Sequence, residues 1–517
     1  MRAFVLALLI GTRPTAARRA ALPTTASSSP STFDYDRYWQ DAWANANASF
    51  AARRAQPEKR HTRWPRVFVY ELAPPVSDWD ANSATNDQVY GARVAFGGRL
   101  RDTNHYGMSM VLTHRLWRSS HYRTKDPAQA DLFLVTAMVK PKRGMHIGST
   151  CRENVTEKTL VAQLPHLTHE TAHKHVLLMA KEHYEALACD WFSRPKGLLK
   201  RAIRLAYSQV QPREYMSDCA GQCNYCECNV SKAWANRQPL PGERDRSLFE
   251  RRAYTYPHTF SVPYVSTVHW PPANPLPLTG AATSLKSQKG AAVFTSRSAP
   301  WVQAMRAVKY RMLFLGAVHG DTPVRNEIVR ACTLYSKKDA SICARLKYNL
   351  RKTLILKHQA TFCLEPQGDS PYRRSFTDSL VLGCIPVLFS RLQDDHTYPW
   401  LWGRWREEAR VLVPRQPFID QQIDLAQLLA KAPPALVAHF QHTIEEHARV
   451  FQVSEEDDES DQLHAVLLGA LRESRRLGRL YNNGGATPVP APCVPGRSQL
   501  RSRSGTISTL FHRCASL

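Results

Sequence analysis

The chain has 517 residues, enough for two or three domains, and 43% of them are hydrophobic, which is sufficient for full cores. Lysine and arginine number 69 against 44 acidic residues, which gives a formal net charge of +25. Such an excess is compatible with nucleic acid, a membrane surface or an acidic polymer as partner. The basic residues are spread along the chain, without an RNA-binding signature, zinc-finger spacing or basic coiled coil, and we therefore expect no nucleic-acid binding.

The N-terminus begins with one arginine inside an apolar run, MRAFVLALLI. The run is shorter than the roughly 20 residues that a membrane-spanning helix needs, and it is typical of a secretory signal peptide. We predict a signal peptide or short signal anchor over residues 1–20, so anchoring in the membrane stays open. Residues 21–65 are rich in Ala, Ser, Thr, Pro and Arg, which predicts a partly disordered stem or linker. Aromatic residues between Tyr35 and Trp43 predict a short helix within it.

Two further features favour the secretory pathway, and we expect the protein in the Golgi lumen. The chain has twelve cysteines, which fits a compartment where disulfides persist. It also carries three N-glycosylation sequons, which begin at Asn47, Asn154 and Asn229.

Strand and helix patterns alternate over residues 66–270, which predicts a first Rossmann-like α/β domain. Within it, residues 219–228 hold a cysteine cluster formed by Cys219, Cys223, Cys226 and Cys228. A zinc site usually needs a second separated Cys-x-x-Cys pair. Local disulfides, or longer ones to Cys151 and Cys189, are the favoured interpretation of this insertion.

A linker with Pro, Ser and Gly is predicted at residues 271–290, and a second Rossmann-like domain with closing helices at residues 291–480. This domain starts with an apolar strand that runs into Gly316, where backbone could approach a ligand closely. Arg325 follows on the next helix and could reach a diphosphate, although a solvated helix arginine is the alternative. Cys332 and Cys343 flank a short loop and are candidates for a bridge. The tail, residues 481–517, is predicted to be disordered.

The most informative segment is residues 362–390, FCLEPQGDSPYRRSFTDSLVLGCIPVLFS. Two apolar runs enclose a polar loop and a helical pattern that Gly383 ends, which predicts a strand–loop–helix–strand unit of a parallel sheet. Ser375 is expected to cap the helix. Parallel sheets bind ligands outside the carboxyl ends of their strands.

The loop of this unit has the chemistry of a nucleotide-diphosphate site. A helix N-terminus favours phosphate, and Arg373 and Arg374 add two guanidinium groups that match phosphate oxygens. Asp378 could accept hydrogen bonds from ribose hydroxyls. A surface helix with two solvated arginines is the alternative.

The same segment resembles the core motif of the exostosin-like glycosyltransferase family, and in particular its plant xyloglucan galactosyltransferase branch. The matching residues are Phe362, Cys363, Leu364, Pro366, Gly368, Asp369, Ser370, Arg373, Arg374, Ser375, Asp378, Gly383, Cys384, Ile385, Pro386 and Val387. The resemblance implies an α/β protein of GT-B architecture, with two Rossmann-like domains facing across a cleft. It further implies an inverting transferase that takes a sugar, galactose as the best guess, from a UDP-sugar to a polysaccharide or glycan acceptor.

On that resemblance the second domain holds the nucleotide sugar and the first domain the acceptor. The predicted nucleotide-sugar-binding residues are Gly316, Arg325, Gly368, Asp369, Arg373, Arg374, Ser375 and Asp378. Inversion needs a base that takes the acceptor's hydroxyl proton, for which Asp102, His105 and His146 are candidates.

No metal or other cofactor is expected, because fixed arginines could hold the charge of the leaving diphosphate. Two Asp-x-Asp triplets, at Asp34 and Asp78, mimic a metal motif of another transferase fold, but neither lies in the second domain.

Other interpretations stay open. The main alternative is a non-catalytic subunit that binds a glycan or polyanion, and a weaker one is a secreted, disulfide-rich interaction protein. A homodimer or heterodimer is compatible with either. Two stretches have no assigned role. Residues 398–405 are strongly aromatic and could form a platform for a sugar or a hydrophobic plug. The acidic run over residues 455–461 is expected to be solvated.

Overall fold

A computed structural model gives the fold of the chain. It describes residues 33–55, 64–80, 82–95, 100–137, 155–180, 189–193, 195–208, 258–269, 309–316, 322–346, 349–368, 371–395 and 397–482. Within these ranges, no helix combines the length and the apolar composition that a membrane span requires.

The first domain is built on a parallel sheet. Its strands are β1 (Val67–Val69), β4 (Leu132–Thr136), β5 (His175–Leu178), β6 (Ile203–Ala206) and β7 (Thr259–Ser261), in that order across the sheet, and β2 (Arg93–Ala95) and β3 (Leu100–Arg101) form a small antiparallel pair. Its described helices are α2 (Asn86–Tyr90), α3 (Met108–Arg118), α4 (Glu157–Val161) and α5 (Asp190–Ser193), after the N-terminal α1 (Tyr35–Ala55). β4 is buried at every position, because layers cover both faces of the sheet.

The second domain repeats the plan. Its strands are β8 (Tyr310–Leu315), β9 (Cys343–Leu346), β10 (Ala360–Glu365), β11 (Ile385–Leu388) and β12 (Val411–Leu412), and all pairs are parallel in the order β12-β11-β10-β8-β9. Its helices are α6 (Thr322–Lys338), α7 (Leu350–His358), α8 (Arg374–Val381), α9 (Arg391–Asp395), α10 (Arg415–Ile419), α11 (Leu425–Ala430), α12 (Pro434–His447) and α13 (Gln462–Asn482). The predicted α/β class with two Rossmann-like domains is confirmed. The predicted linker at 271–290 lies outside the described residues.

The strand–helix–strand unit predicted for the central segment is present as β10, α8 and β11. Phe362 of β10 lies opposite Ile385 of β11 in a parallel register. After α8, Gly383 has a φ of 75°, a left-handed conformation that glycine adopts without strain. Disulfides join Cys363 to Cys384 within this unit, and Cys332 to Cys343 beside it.

Helix α1 lies in the stretch predicted as a stem, and it packs on the second domain. The Trp39 indole donates to the Leu428 carbonyl at 2.9 Å. Near the other end of the helix, Arg53 pairs with the buried carboxylate of Glu408 at 2.8 Å. The aromatic residues therefore mark a docked helix, which is longer than the short one predicted.

Most of the acidic run is not solvated, so the expectation was wrong except at Glu456 and Glu459, which are exposed. Arg101 of the first domain donates to both carboxylate oxygens of Glu455, at 2.7 and 2.9 Å. Asp457 pairs with Arg115 of α3, and Asp458 accepts from Arg449 at 2.6 Å. Of these basic side chains, Arg101 and Arg115 are distant in sequence, and they join the first domain to the segment before α13.

His269 belongs to the same junction between the domains. Its two ring nitrogens lie 2.7 Å from the Val453 carbonyl and 2.7 Å from the Thr103 hydroxyl. Burial, the largest cause, lowers the pKa of His269 to about 4. The neutral imidazole is therefore the form that fits between these two groups.

This burial predicts a loss of stability in mild acid. Because the folded pKa lies below the ordinary value of 6.5, the contribution is complete above pH 6.5 and is lost as the pH falls towards 4. Between pH 6.5 and pH 4, the unfolding free energy of His269→Gln should therefore decrease by up to about 3 kcal/mol less than that of the wild type. Urea unfolding at pH 7, 5.5 and 4.5 checks this. His442→Gln, at an exposed position, is the control, and parallel pH curves for wild type and His269→Gln would contradict the prediction.

Candidate functional site

The candidate site lies at the carboxyl edge of the second sheet, where neighbouring strands end together. Leu364 of β10 lies opposite Phe314 of β8, so the chain leaves both strands at the same level. Gly316 follows β8, and Gly368 follows β10. The two glycines predicted to approach a ligand are therefore neighbours in space.

Two guanidinium groups converge on these glycines. Arg325 of α6 is 1% exposed, and its Nε donates to the Gln367 carbonyl at 2.8 Å. A Cβ added at Gly316 would lie 3.1 Å from Nη1 of Arg325. A Cβ added at Gly368 would collide with the Arg373 guanidinium and would lie 3.6 Å from Nη2 of Arg325. Arg325 is thus not a solvated helix arginine. Because Gly316 and Gly368 have no side chain, the guanidinium groups can lie close to the backbone at both positions.

Arg374 lies at the domain junction. Its Nη1 donates to the Thr103 carbonyl of the first domain at 2.8 Å. Its Nε lies 3.7 Å from a carboxylate oxygen of Asp378, one turn later on α8. The two arginines of the motif therefore occupy different places, with Arg373 beside Gly368 and Arg374 against the first domain.

Asp378 joins the domains through its carboxylate. The side chain is buried, and Oδ1 accepts hydrogen bonds from the Ser266 hydroxyl at 2.7 Å and from the Thr267 amide and hydroxyl at 3.2 Å each. The structure thus gives Asp378 protein partners, and its predicted contact with ribose stays a prediction.

A buried ion pair that the sequence analysis missed fixes α8 against β10. The Lys357 ammonium lies 2.6 Å from Glu365 Oε1, and both side chains are buried. The hydroxyls of Ser375 and Ser379 donate to the same oxygen at 3.0 and 2.6 Å. A glutamate at the end of an apolar strand was the available signal, since a charge buried there requires a partner.

Ser375 is not a helix cap, so that prediction was wrong. α8 begins at Arg374, and the N-cap position is Arg373, which makes no side-chain capping bond. The Ser375 hydroxyl is directed to Glu365 because α8 starts earlier than predicted. Asp369 and Ser370 lie outside the described residues.

Two of the three candidate bases flank the residue that contacts Arg374. Asp102 is exposed and His105 is half-buried, on either side of Thr103. The His105 ring lies 4.0 Å from Tyr106, centroid to centroid. Both candidates are therefore near the motif helix, and the choice between them stays open. His146 lies outside the described residues.

The aromatic stretch after α9 forms a hydrophobic plug. Tyr398, Trp402 and Trp405 are buried. The Phe376 ring of α8 packs edge-on against Trp402 with centroids 4.9 Å apart. These side chains therefore form a hydrophobic plug, the second of the two interpretations, and the plug packs against α8.

Of the predicted glycosylation sites, only Asn47 is among the described residues, and it is exposed on α1. The hydroxyl of Ser49, the third residue of that sequon, donates to Glu408 at 2.9 Å. Asn154, Asn229 and the cysteine cluster at 219–228 lie outside the described residues. Among the residues that are described, no group of three or more His, Cys, Asp or Glu side chains is placed to hold a metal ion.

Comparison with known proteins fits this geometry. The profile of the Exostosin GT47 domain matches residues 62–414, which is more than half of the chain and includes both sheets. The chain belongs to the exostosin GT47 family. The family assignment that the motif implied is therefore confirmed.

Individual relatives match shorter stretches. A probable xyloglucan galactosyltransferase, GT13 of Arabidopsis thaliana, is 27% identical over 143 residues, which is 26% of this chain and 31% of that protein. The xyloglucan-specific galacturonosyltransferase 1 of the same plant is 51% identical over 45 residues, 9% of this chain and 7% of that protein. The chain thus spans less than a third of the length of these relatives.

A solved structure of an S. aureus TarM mutant in complex with UDP and other ligands covers 62% of this chain and 58% of its own, with 10% identity and a TM-score of 0.31. That likeness is too low to support an argument, so the fold rests on the two sheets described above.

The close approach at Gly368 gives a direct prediction. In Gly368→Ala the new methyl group would displace the Arg373 guanidinium, and the affinity for UDP should fall ~10-fold, the loss expected for one charge-assisted hydrogen bond. Isothermal titration with UDP measures this. Gly197→Ala, where the new Cβ meets only a Glu157 oxygen at 3.3 Å, is the matched control. An unchanged affinity in a folded Gly368→Ala protein would show that the Arg373 position is irrelevant to binding.

Proposed function

We propose that this GT47 protein is an inverting glycosyltransferase that moves a sugar, galactose as the first choice, from a UDP-sugar to a polysaccharide or glycan acceptor. The observation that supports it is the convergence of Arg325 and Arg373 at Gly368, on the carboxyl edge of a parallel sheet. Galactose is favoured because a relative is named a probable xyloglucan galactosyltransferase. The relative named a galacturonosyltransferase makes a uronic acid donor the competing choice.

The proposed chemistry follows from where charge develops. As the glycosidic bond of the donor breaks, negative charge grows on the UDP leaving group, and donors already in place stabilise it without reorganising. Arg325 is held by the Gln367 carbonyl, so its guanidinium is preorganised. With Arg373 it would supply two positive charges, so no metal is required in this scheme.

The first domain would bind the acceptor and would supply the base. Thr103 contacts Arg374 across the junction, which supports a position of Asp102 and His105 close to the bound donor. Either side chain could take the acceptor's proton as the hydroxyl attacks from the face opposite UDP, which inverts the anomeric carbon. The leader sequence and the sequons support a location in the secretory pathway, in the Golgi lumen.

A glycan- or polyanion-binding subunit without catalysis is the second candidate, and the net charge of +25 favours it. Such a protein would bind a heparin-like polymer with a strong salt dependence and would not bind UDP. Binding of UDP to the wild-type protein, measured without metal and then with manganese, separates the two candidates.

Arg373 should contribute to diphosphate affinity. We expect Arg373→Ala to lower the affinity for UDP ~10–100-fold, because a charge-assisted bond contributes about 1.5–3 kcal/mol. Arg311→Ala removes one exposed charge from β8, at its amino end, and should leave the affinity unchanged. Equal losses in the two variants would mean that only net charge matters, and the diphosphate role would then fail.

Arg374 should contribute more to turnover than to affinity. Because it bonds Thr103 across the junction, we expect Arg374→Ala to reduce transfer at least ~10–100-fold, while affinity for UDP falls less and the protein remains folded. Release of UDP in the presence of acceptor measures turnover, and thermal unfolding checks the fold. Near-wild-type turnover in this variant would contradict a role for Arg374 in the reaction.

A further inference from the structure

Two polar side chains at the end of β11 are buried without hydrogen-bond partners. Ser390 and Gln393 are each 1% exposed. Among the residues that the structure describes, the Ser390 hydroxyl and both the amide oxygen and nitrogen of Gln393 have no hydrogen-bond partner. Buried polar groups are nearly always paired because leaving them unpaired is costly, so each exception requires an explanation.

Helix capping does not explain these side chains. Ser390 directly precedes α9, and Gln393 follows three residues later, which is the spacing of a capping box. In a capping box both side chains would bond backbone amides, and here neither does. The backbone carbonyl of Ser390 accepts from the Asp394 amide at 3.2 Å, so the turn forms without them.

The two side chains are next to the proposed diphosphate site. Glu365 of β10 lies opposite Leu388 of β11. Two residues further on, Gln367 and Ser390 leave these neighbouring strands, which are about 4.8 Å apart. The Gln367 carbonyl is the group that orients Arg325. In a UDP-sugar, the sugar is bonded directly to the diphosphate, so groups that follow the strand next to Gln367 are candidates for contact with the sugar.

The segment that carries Gln393 is fixed between the two domains. The Thr397 hydroxyl donates to the Gln393 carbonyl at 2.6 Å, and the Tyr398 amide donates to the Ser261 hydroxyl of the first domain at 3.0 Å. Tyr398 has a φ of 51°, which is rare outside glycine and tends to occur at functional sites. Its ring lies 5.7 Å from that of Tyr372 in the motif loop.

We propose that Ser390 and Gln393 bind hydroxyl groups of the donor sugar and so determine which sugar is transferred. An amide offers a donor and an acceptor, and a serine hydroxyl offers both in one group. Together they match the hydroxyls of a neutral hexose and supply no cation for the carboxylate of a uronic acid. The proposal rests on the proposed function, since it assumes that a UDP-sugar binds at this edge.

Titration of wild type, Ser390→Ala and Gln393→Leu with UDP, UDP-galactose, UDP-glucose and UDP-galacturonic acid tests the proposal. We expect wild type to prefer one neutral UDP-hexose over its C4 epimer and over the uronic acid. Each variant should reduce that preference about fivefold to tenfold, the loss of one hydrogen bond, while the affinity for UDP stays within about twofold. Unchanged sugar preference in both variants overturns the proposal, as does a wild-type protein that binds UDP without preferring any of the sugars.

A stability measurement separates recognition from a structural role. Removing an unpaired buried polar group relieves an unfavourable burial, so Gln393→Leu should raise the Tm by a few degrees in the absence of ligand. Thr259→Val is the matched control, because it removes another buried, unpaired hydroxyl at the amino end of β7 and should leave sugar preference unchanged. A lower Tm with equal losses for UDP and every UDP-sugar assigns Gln393 a structural role and overturns the proposal.

The titrations distinguish a failure of the proposed function from a failure of the sugar-recognition proposal alone. If wild type binds neither UDP nor any UDP-sugar, the nucleotide assignment itself is wrong, and the proposal falls with it. If UDP binds and only the sugar preference is unaffected, the proposed function stands and this inference alone is rejected.

Discussion

The arrangement of the site depends on the hydrogen bonds that the first domain donates to the Asp378 carboxylate. A buried carboxylate is stable only if hydrogen bonds replace the water it loses, and here three donors on Ser266 and Thr267 do so. Those donors belong to the first domain, while Asp378 belongs to the helix that follows the motif loop. Satisfying one charge therefore fixes the N-terminus of α8 against the first domain. Arg374 extends this junction to Thr103, which lies between the two candidate bases in the chain.

The ion pairs show how a strongly basic chain uses part of its positive charge to hold its domains together. Arg101 and Arg115 are neutralised by the acidic run before α13, and Arg53 is neutralised by Glu408. These pairs lie at contacts between distant parts of the chain, where they specify which surfaces meet. Arg325 and Arg373 instead converge on glycines, which have no side chain of their own to displace the guanidinium groups. The positive charge relevant to a diphosphate is thus local, and the net charge of the chain says little about it.

The sequence predicted what depends on neighbouring residues and failed where distant ones decide. The unit of β10, α8 and β11 was predictable, because two apolar runs and Gly383 define it within one short segment. The family was predictable for the same reason, since its motif occupies that segment. The role of Ser375 was not predictable, because its hydroxyl donates to Glu365. That buried carboxylate is paired with Lys357 of another helix. The acidic run was expected to be solvated because two of its arginine partners, Arg101 and Arg115, lie more than 300 residues earlier in the chain.

The unpaired side chains at the end of β11 then acquire a physical rationale. The UDP moiety is common to all the proposed donors, so groups that hold the diphosphate cannot choose among sugars. Discrimination requires polar atoms that only the correct hydroxyls satisfy, because a wrong sugar leaves them buried and unpaired. Such atoms are unfavourable in the free protein, and stability is commonly traded for function at binding sites. Ser390 and Gln393 meet this description, whereas Ser375 and Asp378 of the motif already have protein partners. On the proposed function, the binding of the nucleotide would thus fall to the arginines at Gly368, and the choice of sugar to neutral groups that follow the neighbouring strand.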